Sequence, residues 1–146
     1  MTIAQNTSPI YTYVSINDWA KVTTADTGTD GTGANVKLVH TVGSNGGYVT
    51  KLILQPISTS GSATTSAAAA RFYINNGSSV GTAGNNLLFK ELSLAAINVN
   101  TSATVSAFGY ELPLAFQLAG GYCIYCGITA MAANTQWNIL TISGGY

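Results

Sequence analysis

The sequence predicts an all-β protein, an antiparallel β-sandwich and more specifically a jelly roll of about eight strands. Short runs rich in β-branched and aromatic residues recur at regular spacing, and turns containing Gly, Asn and Ser separate them. Segments with helical periodicity are scarce. An immunoglobulin-like sandwich is the second choice, but it would place its two cysteines on facing sheets, whereas both cysteines here share one run.

The first predicted pair of strands covers residues 35–42 and 48–56. Between them lies Asn45-Gly46, and both residue types tolerate the positive φ angles of tight hairpin turns. These two runs are therefore predicted to pair as a β-hairpin. Upstream, the apolar residues around positions 11–16 and 19–23 add one or two further strands.

The middle of the chain carries two more predicted strands. Residues 71–76 alternate, with Phe72 and Ile74 on one face. Residues 87–94 have apolar side chains on both faces, which predicts a β-bulge or burial on two sides. The alanine run at 67–70 has helix propensity, but its neighbours limit any helix there to a turn or two.

The longest alternating pattern covers residues 108–118, where every second position is apolar. Pro113 lies inside this run and cannot donate a backbone hydrogen bond, so the run is predicted to be an edge strand or two strands meeting at a corner. Residues 121–129 and 135–142 are the last predicted strands, joined by a short loop containing Asn134. The apolar positions of the long run are Phe108, Tyr110, Leu112, Leu114, Phe116 and Leu118.

Charge is the main compositional anomaly. Charged residues make up 7% of the 146 residues, and five basic residues balance five acidic ones, whereas ~25% is ordinary. No basic stripe is available to follow a phosphate backbone, so nucleic acid is not an expected partner. A neutral surface rich in Ser, Thr, Asn and Gly predicts a protein that packs against other proteins.

Targeting signals are not expected at the start of the chain. MTIAQNTSPI lacks the charged and apolar regions of a secretory signal. Nor does any run approach the ~18 apolar residues of a membrane span. Synthesis in a cytoplasm, without a membrane partner, is the expectation.

Two cysteines, Cys123 and Cys126, give the chain its most chemical-looking motif. In a strand these residues would lie ~10 Å apart and point to opposite faces, beyond the ~7 Å that a disulfide allows. Redox motifs of this spacing begin a helix, and a zinc site would need further ligands. The pair is therefore interpreted as ordinary strand cysteines, reduced and at least half buried.

A second motif, Asp26-Thr27-Gly28, matches the catalytic triplet of aspartic proteases. No apolar strand precedes it, and a further Asp30-Gly31 follows, so the segment is interpreted as a solvated, flexible loop. Two carboxylates at this spacing are also few for calcium. An enzymatic reading would require an activity that Asp26→Asn abolishes, and none is expected.

His40, the only histidine, is predicted to share one strand face with Val36, Leu38 and Val42. The interpretation is a strand histidine near a sheet end with a local hydrogen bond. No acidic residue adjoins it in sequence, and no Gly-x-Ser-x-Gly elbow occurs. No catalytic residue, cofactor or metal is therefore predicted.

A family resemblance rests on the run at 19–52 together with RFYINNGSS (71–79), YELPL (110–114) and the closing aromatic-rich strand. These segments are similar to virion proteins of tailed bacteriophages, and the uncharged all-β chain resembles their capsid decoration, or cement, proteins. The resemblance covers most of the chain and brings no functional motif. It implies a homotrimer on the capsid surface of the virion that braces neighbouring subunits of the major capsid protein.

The segment 1–18 is predicted to be either an N-terminal arm or a first strand, and residues 19–146 are predicted to form the single sandwich domain. As an arm, it would contact the capsid through apolar residues that need a surface to pack on. A rival hypothesis is a receptor- or glycan-binding module of a fibre or tail, which would share the sandwich. The predicted contact residues are Ile10, Tyr11, Tyr13, Val14, Ile16 and Trp19.

Overall fold

The computed structural model describes residues 14–102 and 109–146. Over these residues the chain forms eleven strands and one 3₁₀ turn at Ala83–Asn85, which confirms the predicted all-β class. The strands are β1 (Val14–Ile16), β2 (Trp19–Val22), β3 (Lys37–Thr41), β4 (Gly47–Ser58), β5 (Ser62–Thr64), β6 (Ala68–Asn75), β7 (Asn86–Leu94), β8 (Asn98–Asn100), β9 (Tyr110–Leu118), β10 (Cys123–Ile128) and β11 (Thr135–Gly145).

Two antiparallel sheets pack face to face as a β-sandwich. In the five-stranded sheet, β1 and β2 both pair with β11, which pairs with β4, and β9 follows at the far edge. The four-stranded sheet has the order β3-β10-β6-β7, and β5 pairs with β8 in a small third sheet. The pairs are nested, since β2 joins β11, β3 joins β10, β4 joins β9 and β6 joins β7. Such nesting is compatible with the predicted jelly roll.

The predicted hairpin of β3 and β4 is wrong, because the two strands belong to different sheets. The chain does reverse here: the amide of Gly46 donates to the carbonyl of Gly43 at 3.0 Å, and Gly46 has φ +90°. A turn signal fixes a reversal but not the partner of each strand. The twelve residues of β4 pair instead along the eleven of β11, and β3 pairs with β10.

The core lies between the sheets and consists of the inward side chains of both. At the sheet edges opposite β1, β2 and β3, Phe89 of β7 contacts Phe116 of β9 edge to face, with ring centroids 5.6 Å apart. In the five-stranded sheet, Tyr110 packs against Trp137. The largest fully buried apolar side chains of this core are Trp137, Phe72, Leu52, Leu54, Leu94, Ile124, Ile128 and Ile139.

Strand irregularities occur where the sequence suggested them. The bulge predicted in residues 87–94 is present. Lys90 pairs with Phe72 and Leu88 with Tyr73, so Phe89 is an extra residue without a partner in β6. Pro113 lies in β9, which is an edge strand as predicted, and the same strand bulges at Ala115, where φ is +52°. The alanines at 68–70 form no helix and belong to β6.

The N-terminal segment enters the five-stranded sheet at Val14. Val14 pairs with Gly145 and Ile16 with Ser143, so the described part of the segment is a strand on β11. After a break at Asn17 and Asp18, β2 continues along the same edge. Residues 1–13, with most of the predicted arm, lie outside the described residues.

Candidate functional site

A groove separates the adjacent edges of the two sheets on one side of the sandwich. Residues 16–19, at the junction of β1 and β2, form one wall, and residues 38–41 of β3 form the other. Its volume is about 390 Å³. We call it the edge groove. Its lining includes both apolar and polar residues, so it offers both packing area and hydrogen-bonding groups.

Asp18 and His40 meet in the edge groove, although 22 residues separate them in the sequence. Nδ1 of His40 lies 2.8 Å from Oδ2 of Asp18, and the amide of Thr41 donates to the same oxygen at 3.1 Å. Because a carboxylate accepts, Nδ1 carries the hydrogen in this pair. His40 is 2% exposed, whereas the Asp18 side chain is 41% exposed at the mouth.

The side chain of Asp18 contacts the four-stranded sheet, whereas its backbone is hydrogen-bonded to the five-stranded sheet. Its carbonyl accepts from the amide of Thr141 in β11 at 2.8 Å. The hydroxyl of Thr141 in turn donates to the carbonyl of Val39 in β3 at 3.3 Å. Three hydrogen bonds thus cross between the two sheets, and they hold this part of the groove in a fixed geometry.

Exposed apolar side chains border the edge groove. Trp19 is 68% exposed, Val14 is 52% exposed and Leu38 is 46% exposed. Nζ of Lys21 lies 5.9 Å from the centroid of the Trp19 ring, which holds a cation against one face of the indole. Large apolar groups gathered on one side of a charge-poor molecule are typical of an interaction surface.

Three of the six predicted contact residues lie along this groove or beside it. Val14 and Trp19 are exposed, and Ile16 is half-buried in the groove wall. Ile10, Tyr11 and Tyr13 lie outside the described residues.

The prediction for His40 needs a correction. A bulge at Val39 in the pairing with β10 shifts the alternation, so Val39 is buried and Leu38 is exposed rather than sharing one face with His40. The hydrogen-bond partner of His40 is distant in sequence, not local. Sequence reasoning missed both Asp18 and Leu38, because no short-range signal reports a bulge or a pairing across two sheets.

The cysteine motif is a strand, as predicted. Cys123 and Cys126 are free and lie in β10, with Cys123 half-buried and Cys126 fully buried among the core residues. Burial raises the pKa of the Cys126 thiol. A thiol that is both inaccessible and protonated is inert, so Cys126 is unreactive in the folded chain.

The loop around Asp26 is exposed at Thr27, Thr29 and Asp30, as predicted, but the prediction is wrong for Asp26 itself, which is buried. Asp26 is 7% exposed, its amide donates to the carbonyl of Ile128 at 2.7 Å, and its Oδ1 accepts from the amide of Gly28 at 3.0 Å. Two side chains of β6 hold the loop down, since Arg71 and Tyr73 both donate to the carbonyl of Gly28. The carboxylate is packed within a loop that covers the outer face of the four-stranded sheet.

Among residues 14–102 and 109–146, no group of three or more His, Cys, Asp or Glu side chains is arranged to hold a metal ion. The same residues contain no helix long and apolar enough to span a membrane. No protein-family model matches the chain, and no curated protein sequence matches it either.

Proposed function

We propose that this protein is a non-enzymatic structural component of a phage virion that decorates the capsid and stabilises it by bridging subunits of the major capsid protein. The observation that carries the proposal is the exposed apolar border of the edge groove, formed by Trp19 and Leu38, with Val14 exposed nearby on β1. Buried against a neighbour, these side chains would supply the anchors that dominate binding energy in protein interfaces.

The charge balance supports the same function. Formal net charge is zero, so neither long-range attraction to nucleic acid nor strong repulsion between neighbouring copies is expected. A decoration protein acts in many copies on a repeating lattice, and a homo-oligomer, expected to be a trimer, would present several weak contacts at high effective concentration. Each bound copy would raise the free energy required to separate capsid subunits.

Co-sedimentation with capsids that lack the protein tests this proposal. Trp19→Gln and Leu38→Gln should each weaken capsid binding by ~10-fold or more, because each removes an exposed apolar anchor. Leu87→Gln is the matched control, since Leu87 is 63% exposed on the opposite edge of the sandwich. Wild-type protein should also raise the temperature at which the capsids disrupt. The proposal would be refuted if the wild-type protein did not bind the capsids, or if the control variant lost as much capsid binding as the groove variants.

A receptor- or glycan-binding module is the second candidate, and one observation favours it. A hollow of about 250 Å³ lies beside Trp19, with the amides of Gln55 and Asn138 in its lining. An exposed indole next to planar amides suits the apolar face and the hydroxyls of a neutral sugar. In that case Trp19→Gln would abolish binding to a glycan array, and the disruption temperature of capsids would not respond to the protein.

A further inference from the structure

The outer face of the five-stranded sheet carries an apolar strip. Ile53 of β4 lies opposite Leu140 of β11, and Ile142 lies two residues further along β11. These three half-buried residues alternate with core residues such as Leu54 and Ile139, so they point away from the sandwich interior. Trp19 of β2 lies opposite Leu140 on this face, and no further segment of the described residues forms a layer over it. We call these three side chains the outer strip.

The corresponding face of the four-stranded sheet is covered by the chain itself. Arg71 donates to the carbonyls of Thr27 and Gly28 at 2.9 and 3.0 Å, and the ring of Tyr73 packs against Gly31. Asn86 donates to the carbonyl of Asp30 at the end of the same loop. Of the two outer faces, only the face with the outer strip is left without such a cover by the described residues.

Main-chain pairing with a partner is disfavoured at all four outer edges of the two sheets. Pro113 and the bulge at Ala115 interrupt β9, and Phe89 bulges in β7. Val39 bulges in β3. The remaining edge of the five-stranded sheet, formed by β1 and β2, is broken at residues 17 and 18. Proteins use such devices to prevent strand addition at edges. Association is therefore expected through a face rather than by extending a sheet.

From these observations we infer that the outer face of the five-stranded sheet is a self-association surface on which a second copy of this chain packs. Charge permits it, because net charge is zero, Lys51 and Glu111 on this face are joined at 3.0 Å, and the ammonium group of Lys21, also on this face, lies over the Trp19 ring. Size permits it as well. Four strands abreast over about eight residues project roughly 500 Å² per partner, so two copies would bury roughly 1,000 Å² in total, which reaches the lower limit of a specific interface.

Light scattering across a range of protein concentrations tests this inference without any capsid. Wild-type protein should have a mass that is a multiple of the monomer, and Leu140→Lys should raise the dissociation constant by ~10-fold or more, because the charge would be desolvated in the interface. Leu87→Lys on the far edge is the matched control and should leave the mass unchanged. Ile53→Thr is a milder variant that keeps a β-branched residue in the strand and should shift the dissociation in the same direction.

Circular dichroism of each variant separates loss of association from loss of folding. A wild-type protein that stays monomeric up to ~100 µM, a concentration far above the dissociation constants of stable oligomers, would overturn the inference. The inference would also be overturned if Leu140→Lys and Ile53→Thr both fold and both form the same oligomer as the wild-type protein. The outcome is independent of the proposed function, since a protein can associate through this face and still ignore capsids.

Discussion

Replacing Asp18 with alanine is expected to lower the free energy of unfolding by ~1–2 kcal/mol. The substitution removes the acceptor of two hydrogen bonds, from Nδ1 of His40 and the amide of Thr41, and it leaves the buried imidazole without its partner. A buried unsatisfied donor costs ~1–3 kcal/mol. Since the Asp18 side chain is 41% exposed, water can replace part of the lost hydrogen bonding, and the expected value is taken from the lower half of that range.

Urea unfolding followed by tryptophan fluorescence measures this effect as a lower midpoint with an unchanged slope. Asp18→Asn keeps one acceptor oxygen and should lose less. Asp30→Ala is the control, because the Asp30 carboxylate accepts from the amide and the hydroxyl of Thr32 within one exposed turn. Hydrogen bonds from the amide of Thr32 and, to a smaller extent, from its hydroxyl hold the pKa of the Asp30 carboxyl below its ordinary value. Any stability from Asp30 is therefore present above the ordinary carboxyl pKa and lost as pH falls, so the comparison is made at pH 7. Equal effects of Asp18→Ala and Asp30→Ala would refute the reasoning.

Two further predictions concern the packing of β10 and the turn before β4. A thiol reagent should label Cys123 in the native protein and Cys126 only after unfolding, because burial both shields the Cys126 thiol and raises its pKa. Mass spectrometry of the labelled chain measures this. Equal labelling of both cysteines in the native protein would contradict the prediction. Gly120→Ala should destabilise the protein by ~1–3 kcal/mol, because its Cβ would lie 2.0 Å from the carbonyl oxygen of Ser44. Gly43→Ala, whose Cβ would meet nothing within 4 Å, should be near neutral in the same urea experiment, and a similar loss in both variants would contradict the packing argument.

Much of the fold could be predicted because its signals are local. Alternation located most strands, and Pro113 correctly indicated an edge, since a residue without an amide hydrogen is excluded from the middle of a sheet. The apolar runs on both faces of residues 87–94 correctly indicated the bulge at Phe89. The hairpin prediction failed because Asn45-Gly46 encodes a reversal, and a reversal can join two sheets as readily as two neighbours in one sheet.

The candidate site could be predicted only in part. Val14, Ile16 and Trp19 were identified because they belong to a short segment whose apolar residues need a surface to pack on, which is a property of sequence. Asp18 was not identified, because its partner His40 becomes a neighbour only when β2 and β3 lie on adjacent sheet edges. Leu38 was assigned to the wrong environment, since the bulge at Val39 depends on register with β10.

By itself, the sequence determined the all-β class, the approximate strand positions, the neutral surface and the strand identity of the two cysteines. These properties follow from residue types and their period along the chain, which short-range sterics and hydrophobicity control. Only the tertiary structure decided which strands pair, that the loop around Asp26 covers one outer face, and that Asp18 meets His40 in a groove. Those features depend on contacts between residues far apart in sequence, and such contacts form only when the two sheets pack around one core.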